Sequence, residues 1–291
     1  MLNNFNAIKL LAKGKGRKAI AVAAAEDANT IQALKELRGH LDIEYYLTGD
    51  SAKVKDAWGK DISNVTVIDT KSDEESAAKA VELCKIGKAD ILMKGKLGTS
   101  TLLKAVLNKE TGIMQGGLIS HLAVLECPTY HKLMFMTDGG INPEPDLDKK
   151  KSILENTIKF MHKLGYKNPN VAALCAVETV SEKMPETVHA AELVKISIPG
   201  CYIEGPISLD LAISAESAKI KGIESKLAGD TDVFLMPNIS TGNVTSKALQ
   251  YLAGAKMAGC VLGAKVPIVL TSRGATAEEK LLSFLLTLAA G

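Results

Sequence analysis

The residues best equipped for chemistry lie near the end of the chain, in the run VPIVLTSRGATAEEKLL that starts at Val266. Pro267 to Leu270 reads as a short buried strand. It delivers Thr271, Ser272, Arg273 and Gly274 in succession: hydroxyls, a permanent cation and a flexible hinge. Thr276 then opens a helix, with Glu279 as the partner of a capping box. A hydrogen-bond donor and a guanidinium at a helix mouth suit an anion such as phosphate. The plain structural alternative is a strand–turn–helix with an exposed arginine and a glutamate that only caps.

Other strand ends carry similar chemistry. After ADILMKG, the residues Gly98, Thr99, Ser100 and Thr101 start a helix with Lys104 one turn in, which suits a phosphoryl group. The spacing is not that of a Walker A loop. After LMFMT come Asp138, Gly139, Gly140, Ile141, Asn142 and Pro143. An aspartate followed by paired glycines suits close approach of backbone to a ligand, or equally a hinge between domains. After DVFLM, the polar loop Pro237, Asn238, Ile239, Ser240, Thr241, Gly242, Asn243 precedes a helix bearing Lys247. Each place alone is ordinary helix-capping chemistry. Together they fit a ligand that carries several phosphates.

Competing sites have less behind them. His121, beside Ser120, is placed to line a cleft, but a lone histidine is more often structural. His40, His131, His162 and His189 lack metal-ligand spacing such as HExxH, so no metal is expected. There is no Gly-x-Ser-x-Gly elbow to support a hydrolase triad. Lys13-Gly14-Lys15-Gly16 precedes the first strand instead of following it, which argues against a dinucleotide fingerprint.

The elements that must position these residues alternate regularly. KAIAVAAA, IEYYLTGD, VTVIDT, ADILMKG, LAVLEC, KLMFMTD, NVAALCAVE, CYIEG, DVFLMPN, CVLGA and PIVLT read as strands. Between them run helical patterns, among them SDEESAAKAVELCKIG with acids in its first turn, a long helix from Asp146 toward Gly165, and NVTSKALQYLAGAKMAG. This rhythm predicts an α/β protein with mainly parallel sheets covered by helices on both faces, and ligands off the carboxyl ends of the strands. The last helix, EEKLLSFLLTLAAG, is apolar around most of its circumference. That means deep burial or an interface, and the expectation is a homodimer or higher homo-oligomer.

A chain of 291 residues that is 46% apolar suffices for two domains or one large unit. A net charge of +2, with no basic block and interleaved aromatics, argues against nucleic acid as partner. Cys84, Cys127, Cys175, Cys201 and Cys260 are scattered, without CxxC spacing, which fits reduced thiols in a cytoplasmic chain. No signal peptide is expected, and no apolar run approaches a membrane span.

The segments LMKGKLGTSTLLKAVLNKETG, SHLAVLECP, TDGGINPEPDL, EGPISLDLAIS, AGDTDVFLMPNISTGNVTSKALQYLAGAKMAG and VPIVLTSRG together resemble the phosphate acetyltransferase/phosphate butyryltransferase family, the butyryl branch more closely than the longer acetyl enzymes. The resemblance runs in the same order from about Ile91 to the C-terminus. It implies two α/β domains of the isocitrate/isopropylmalate dehydrogenase type, residues 1–137 with 265–291 and residues 138–264, with an active cleft between them. It also implies reversible transfer of a short-chain acyl group between coenzyme A and inorganic phosphate, giving acyl phosphate. Coenzyme A would be a substrate, with no tightly bound cofactor. By the family pattern Ser272 would hydrogen-bond the reacting carbonyl and Arg273 would hold phosphate. Glu279, with Glu278 beside it, would be the base on the thiol; the acetyl enzymes carry aspartate there. Thr99, Ser100, Lys104, Asp138 and Asn142 would serve phosphate or acyl phosphate, and Asn238, Gly242, Asn243, Lys247 and Gly274 coenzyme A. Gly139 stands where the acetyl enzymes have cysteine, so no acyl-cysteine is expected.

Two rival classes share this outline. A non-catalytic acyl-CoA-sensing module would be expected to lack Ser272-Arg273 or the acids near them, and all are present. A decarboxylating dehydrogenase would need clustered aspartates and several arginines, whereas arginine occurs only at Arg17, Arg38 and Arg273.

Overall fold

The computed structural model describes every residue except Met1, Gly39, His40, Asp61 and Arg273. A first helix, α1 (Phe5–Lys13), leads into β1 (Lys18–Ala23), α2 (Ala28–Arg38), β2 (Ile43–Gly49), α3 (Ser51–Trp58), β3 (Val65–Asp69), α4 (Asp73–Lys85), β4 (Ile91–Lys94) and α5 (Thr99–Val106). Local chemistry sets the ends of these helices. Asp50 caps α3 by accepting from the Ala52 and Lys53 N–H groups at 3.0 and 3.2 Å. Ser72 caps α4 through the Glu75 N–H at 3.1 Å, and Asp73, Glu74 and Glu75 lie in its first turn, where negative charge suits the helix dipole. Gly87, at φ 77°, takes the chain out of α4 in the left-handed region that glycine tolerates best.

The chain continues through β5 (Ser120–Glu126), β6 (Met134–Thr137), α6 (Leu147–Lys163), β7 (Asn170–Leu174), α7 (Pro185–Ile196), β8 (Tyr202–Ile207), α8 (Leu209–Ile213), α9 (Ala215–Lys221), β9 (Val233–Leu235) and α10 (Ile239–Leu252). These strands run in the order β5-β6-β9-β7-β8. All neighbours are parallel except β5 and β6. Leu125, Met136, Ala172, Leu211, Leu227 and Phe234 form part of one buried cluster over this sheet. Below it, at the amino ends of β6 and β9, the fully buried Lys132 ammonium lies 2.7 Å from Asp230 and 2.9 Å from Asp232. Asp232 in turn accepts from the Asn170 N–H at 2.8 Å, which ties in β7.

The last elements are β10 (Lys256–Leu262), β11 (Ile268–Val269) and α11 (Ala277–Ala289). With the first half they complete the order β3-β2-β1-β4-β11-β10, parallel throughout except between β10 and β11. α11 packs on α2. Its Leu282, Phe284, Leu285, Leu286 and Leu288 are buried within the chain itself. Burial inside the subunit thus accounts for the apolar circumference from which self-association was expected.

The chain divides into two compact units, residues 6–117 with 258–291 and residues 1–5 with 118–257. They are called the outer and middle units below. Residues 118–137, expected in the first domain, lie in the middle unit, because β6 pairs with both β5 and β9. The run NVTSKALQYLAGAKMAG is also not one helix. Asn238 caps α10 at Ile239, Gly254 turns the chain at φ 68°, and Lys256 begins a strand. No helix among the described residues is long and apolar enough to cross a membrane.

Candidate functional site

In the outer unit the polar tip follows β11. Thr271 is buried and Ser272 exposed; the Ser272 carbonyl accepts from the Ala275 N–H at 3.1 Å. The Gly274 N–H reaches the Ser272 Oγ at 3.4 Å. Gly274 is exposed, and a Cβ there would meet nothing within 4 Å. Arg273 lies outside the described residues. The capping box is present: Thr276 N–H donates to Glu279 Oε2 at 2.7 Å, and Glu279 N–H to Thr276 Oγ1 at 3.2 Å. Glu278, exposed, occupies the same first turn.

That first turn is braced from beneath. Lys280, 4% exposed, pairs with Asp27 and donates to Thr30 Oγ1 at 2.9 Å. Burial pushes the Asp27 carboxyl up, but its bonds with Lys280 and Thr30 outweigh this and leave it below the usual aspartate value.

The Thr99 helix mouth belongs beside this tip. β11 runs parallel to β4, with Ile268 opposite Leu92 and Val269 opposite Met93, so both loops leave neighbouring strands at the same end of the sheet. Gly98 is the N-cap of α5 and supplies no side-chain cap; Thr99 is half-buried, and Ser100 and Lys104 are exposed. Two residues that sequence reasoning missed shape this loop. Lys94 is buried and donates to the Gly95 and Leu97 carbonyls at 3.1 Å each. Gly95 passes so near β1 that a Cβ would lie 2.1 Å from the Ala24 carbonyl oxygen. The signal for Lys94 was a lysine ending an otherwise apolar strand.

In the middle unit Asp138 and Asn142 hold their own loop. Asp138 Oδ1 accepts from the Gly140 and Ile141 N–H groups at 2.7 and 2.9 Å, and Oδ2 from the His121 N–H at 3.0 Å and Asn142 Nδ2 at 2.6 Å. Asn142 also donates to the Ile119 carbonyl at 3.0 Å. Both side chains are buried, so what the loop exposes is backbone. Beside it, the His121 imidazole is held below its usual pKa by burial, against the pull of Asp138, and its Nδ1 has no partner among the described residues.

The loop and the start of α10 meet backbone to backbone. A Cβ on Gly242 would lie 2.7 Å from the Gly139 Cα, and one on Gly139 2.9 Å from the Gly242 carbonyl carbon. Gly242 therefore serves packing. Asn238 Oδ1 caps α10 through the Thr241 N–H at 2.9 Å. Asn243, expected where the loop passes into the helix, sits inside α10 and donates to the Gly139 carbonyl at 3.4 Å. Lys247 is exposed, its ammonium 6.0 Å from the Tyr251 ring centre.

The middle unit also contains a cavity of about 550 Å³ that sequence reading did not find. It opens at the carboxyl ends of β7 and β9, between the first turns of α6, α7 and α10, with Lys150, Cys175, Glu186, His189, Asn238 and Thr241 in its wall. Its signal was Lys150, a lysine on the same helical face as the buried Ile153, Leu154, Thr157, Ile158 and Met161.

Residues 73–288 match the family model described as phosphate acetyl/butaryl transferase. The phosphate butyryltransferase of Clostridium acetobutylicum is 40% identical over 293 residues, covering 98% of this chain and 97% of that protein. The phosphate acetyltransferase of Thermotoga maritima is 37% identical over 284 residues, covering 95% and 96%. Among solved structures, a branched-chain phosphotransacylase from Enterococcus faecalis matches with a TM-score of 0.85 at 30% identity, over 94% of this chain and 98% of that one.

Proposed function

Since the chain belongs to the phosphate acetyl/butaryl transferase family, we propose that it transfers a short-chain acyl group reversibly between coenzyme A and inorganic phosphate. In the direction of thioester formation, a carboxylate takes the coenzyme A thiol proton. A free thiol has a pKa near about 8.5, so this deprotonation supplies the nucleophile. The thiolate attacks the acyl phosphate carbonyl, the Ser272 hydroxyl donates to the developing oxyanion, and Arg273 receives the phosphate that leaves. Glu279, with Glu278 beside it, is proposed as the base. Lys104 and the Thr99–Ser100 mouth of α5 supply further donors for phosphate, and Asn238, Asn243 and Lys247 on α10 serve coenzyme A. Asp138, Asn142 and Gly242 contribute by shaping the surface these groups stand on.

The observation that carries this reading is the adjacency of β4 and β11, which starts the hydroxyl-rich helix mouth and the Ser272 tip from one sheet end. The matched segment 73–288 also contains every residue in the proposal. The test is thiol release from a panel of acetyl-, propionyl-, butyryl- and branched acyl-CoA, with and without phosphate. Added divalent metal or nicotinamide cofactor should change nothing. Absence of phosphate-dependent thiol release across the panel would sink the assignment.

Self-association, if it forms part of the working enzyme, requires a surface other than α11. Val244, Tyr251 and Leu252 on α10 are 67%, 73% and 86% exposed and supply apolar area for it. A monomeric mass by light scattering at micromolar concentration would remove the proposed homo-oligomer.

A further inference from the structure

The cavity of the middle unit holds a nucleophile that the proposed acyl transfer does not use. Lys150 is 4% exposed, yet it lines a space of about 550 Å³. Among the described residues no carboxylate lies within 4.0 Å of its nitrogen, and its hydrogen-bond partner is His189 Nδ1 at 3.3 Å. A lysine buried without a counter-ion tends to lose its proton, which turns an inert ammonium into an amine. With its proton on Nε2, His189 offers Nδ1 as the acceptor.

We propose that Lys150 is a self-modification site, acylated on Nζ by acyl phosphate that enters this cavity. The Nζ lone pair forms a bond to the acyl carbonyl carbon, and the bond from that carbon to the phosphate oxygen breaks. Phosphate departs with the electron pair, and the amine's surplus proton passes to His189 Nδ1 and on to solvent. The product is a neutral amide that fills part of the cavity. Leu174, Met236, Leu209 and Pro237 supply apolar wall for a short aliphatic chain.

The charged surroundings favour the amine over its neighbours. Burial draws the Lys150 ammonium below the usual lysine value, opposed by Cys175, Glu186 and Glu144. The His189 imidazole is also held low, by burial and by Lys150, against Asp146 and Glu186. Asp146 is committed to capping α6 and to Lys149. Cys175, a competing nucleophile in the wall, has its thiol pushed up to about 11 by burial and by Glu186, so it stays protonated.

The inference rests on the proposed transferase reading only for the cell's source of acyl phosphate, so the test supplies acetyl phosphate as a reagent. The whole protein and its Ser272→Ala variant are incubated near neutral pH, and adducts are located by peptide mass spectrometry. Lys159, exposed on the same helix, is the internal reference. A buried lysine without a counter-ion holds a larger fraction as reactive amine near neutral pH, so Lys150 should label at least several-fold faster than Lys159 in both proteins. His189→Gln should slow Lys150 several-fold and leave Lys159 unchanged. Labelling of Lys150 no faster than Lys159 in the wild-type protein overturns the proposal whatever the variants do. An H189Q variant with undiminished Lys150 labelling removes His189 as the proton acceptor. Failure of the transferase reading would appear elsewhere, as missing thiol release while Lys150 still labels.

Discussion

Glu279 caps its helix and is also the proposed base, and a single substitution separates the two roles. Its Oε2 accepts the Thr276 N–H at 2.7 Å, which completes the capping box. A carboxylate keeps further lone pairs after one such bond, so capping does not exhaust it. Glutamine also serves in a capping box. Glu279→Gln should therefore shift stability by no more than about 0.5 kcal/mol while removing a general base, a loss of about 10²–10⁴ in kcat. Glu278→Gln should cost less than about tenfold. Steady-state thiol-release kinetics beside thermal melts check both, and the reverse ranking would move the base to Glu278. Ser272→Ala should lower kcat by about 10²–10³, the usual effect of losing one oxyanion donor. Ser272, Thr99 and Glu279 were legible in the sequence because strand-end and capping chemistry is local. Lys94 and Lys150 were not, because burial of a lysine is decided by which elements close over it.

Elements show where local pattern loses to tertiary pairing. The Ala-, Lys- and Met-rich run after Leu252 has good helix propensity, yet Lys256–Leu262 is a strand because β11 pairs with it, Cys260 opposite Val269. The start of α10 errs the other way: Ile, Ser, Thr and Gly are weak helix formers, and the Asn238 cap overrides them. The same turn carries a prediction. Gly242→Ala gains about 1 kcal/mol of helix propensity but drives a methyl to 2.7 Å from the Gly139 Cα. Backbone cannot give as a side-chain tip does, so overpacking of about 1–3 kcal/mol should win. Denaturant midpoints should fall, and the KM for coenzyme A should rise with them. In the outer unit, the Asp27 carboxyl lies below its ordinary value when folded, so its contribution is present above the unfolded pKa of about 3.9 and lost as pH falls through the folded value. Asp27→Asn leaves Lys280 buried without its carboxylate, which costs about 3–5 kcal/mol in a fully buried pair. The Asp27 side chain is 24% exposed, so the low end applies. The melting temperatures of variant and wild type should differ clearly at pH 7 and converge as pH drops below about 4. A gap that stays constant to pH 3 or so would show that the ion pair is not what braces α11.

At the scale of the whole molecule, the α/β class and the parallel rhythm were legible, but the division of the chain was not. The strands β5 and β6 carry no local mark of which unit they join; the parallel ladder of β6 with β9 places 118–137 in the middle unit. Each unit has its own buried polar brace, Lys280 with Asp27 in the outer one and Lys132 with Asp230 and Asp232 in the middle one. Segments that bury separate cores can open as separate cooperative units. Lys132→Met tests this. Methionine fills similar volume, but it strands Asp232, 3% exposed, without its cation, a defect of about 3–5 kcal/mol. Adding Asp232→Asn should recover part of the loss, since the orphaned charge is then gone. If the units open independently, amide exchange in the single variant should accelerate in β6, β7 and β9 and stay at the wild-type rate in β1, β2 and β4. Equal acceleration in all six strands would mean that the two units unfold as one, and that a defect at the amino ends of β6 and β9 is felt as far as the Ser272 tip.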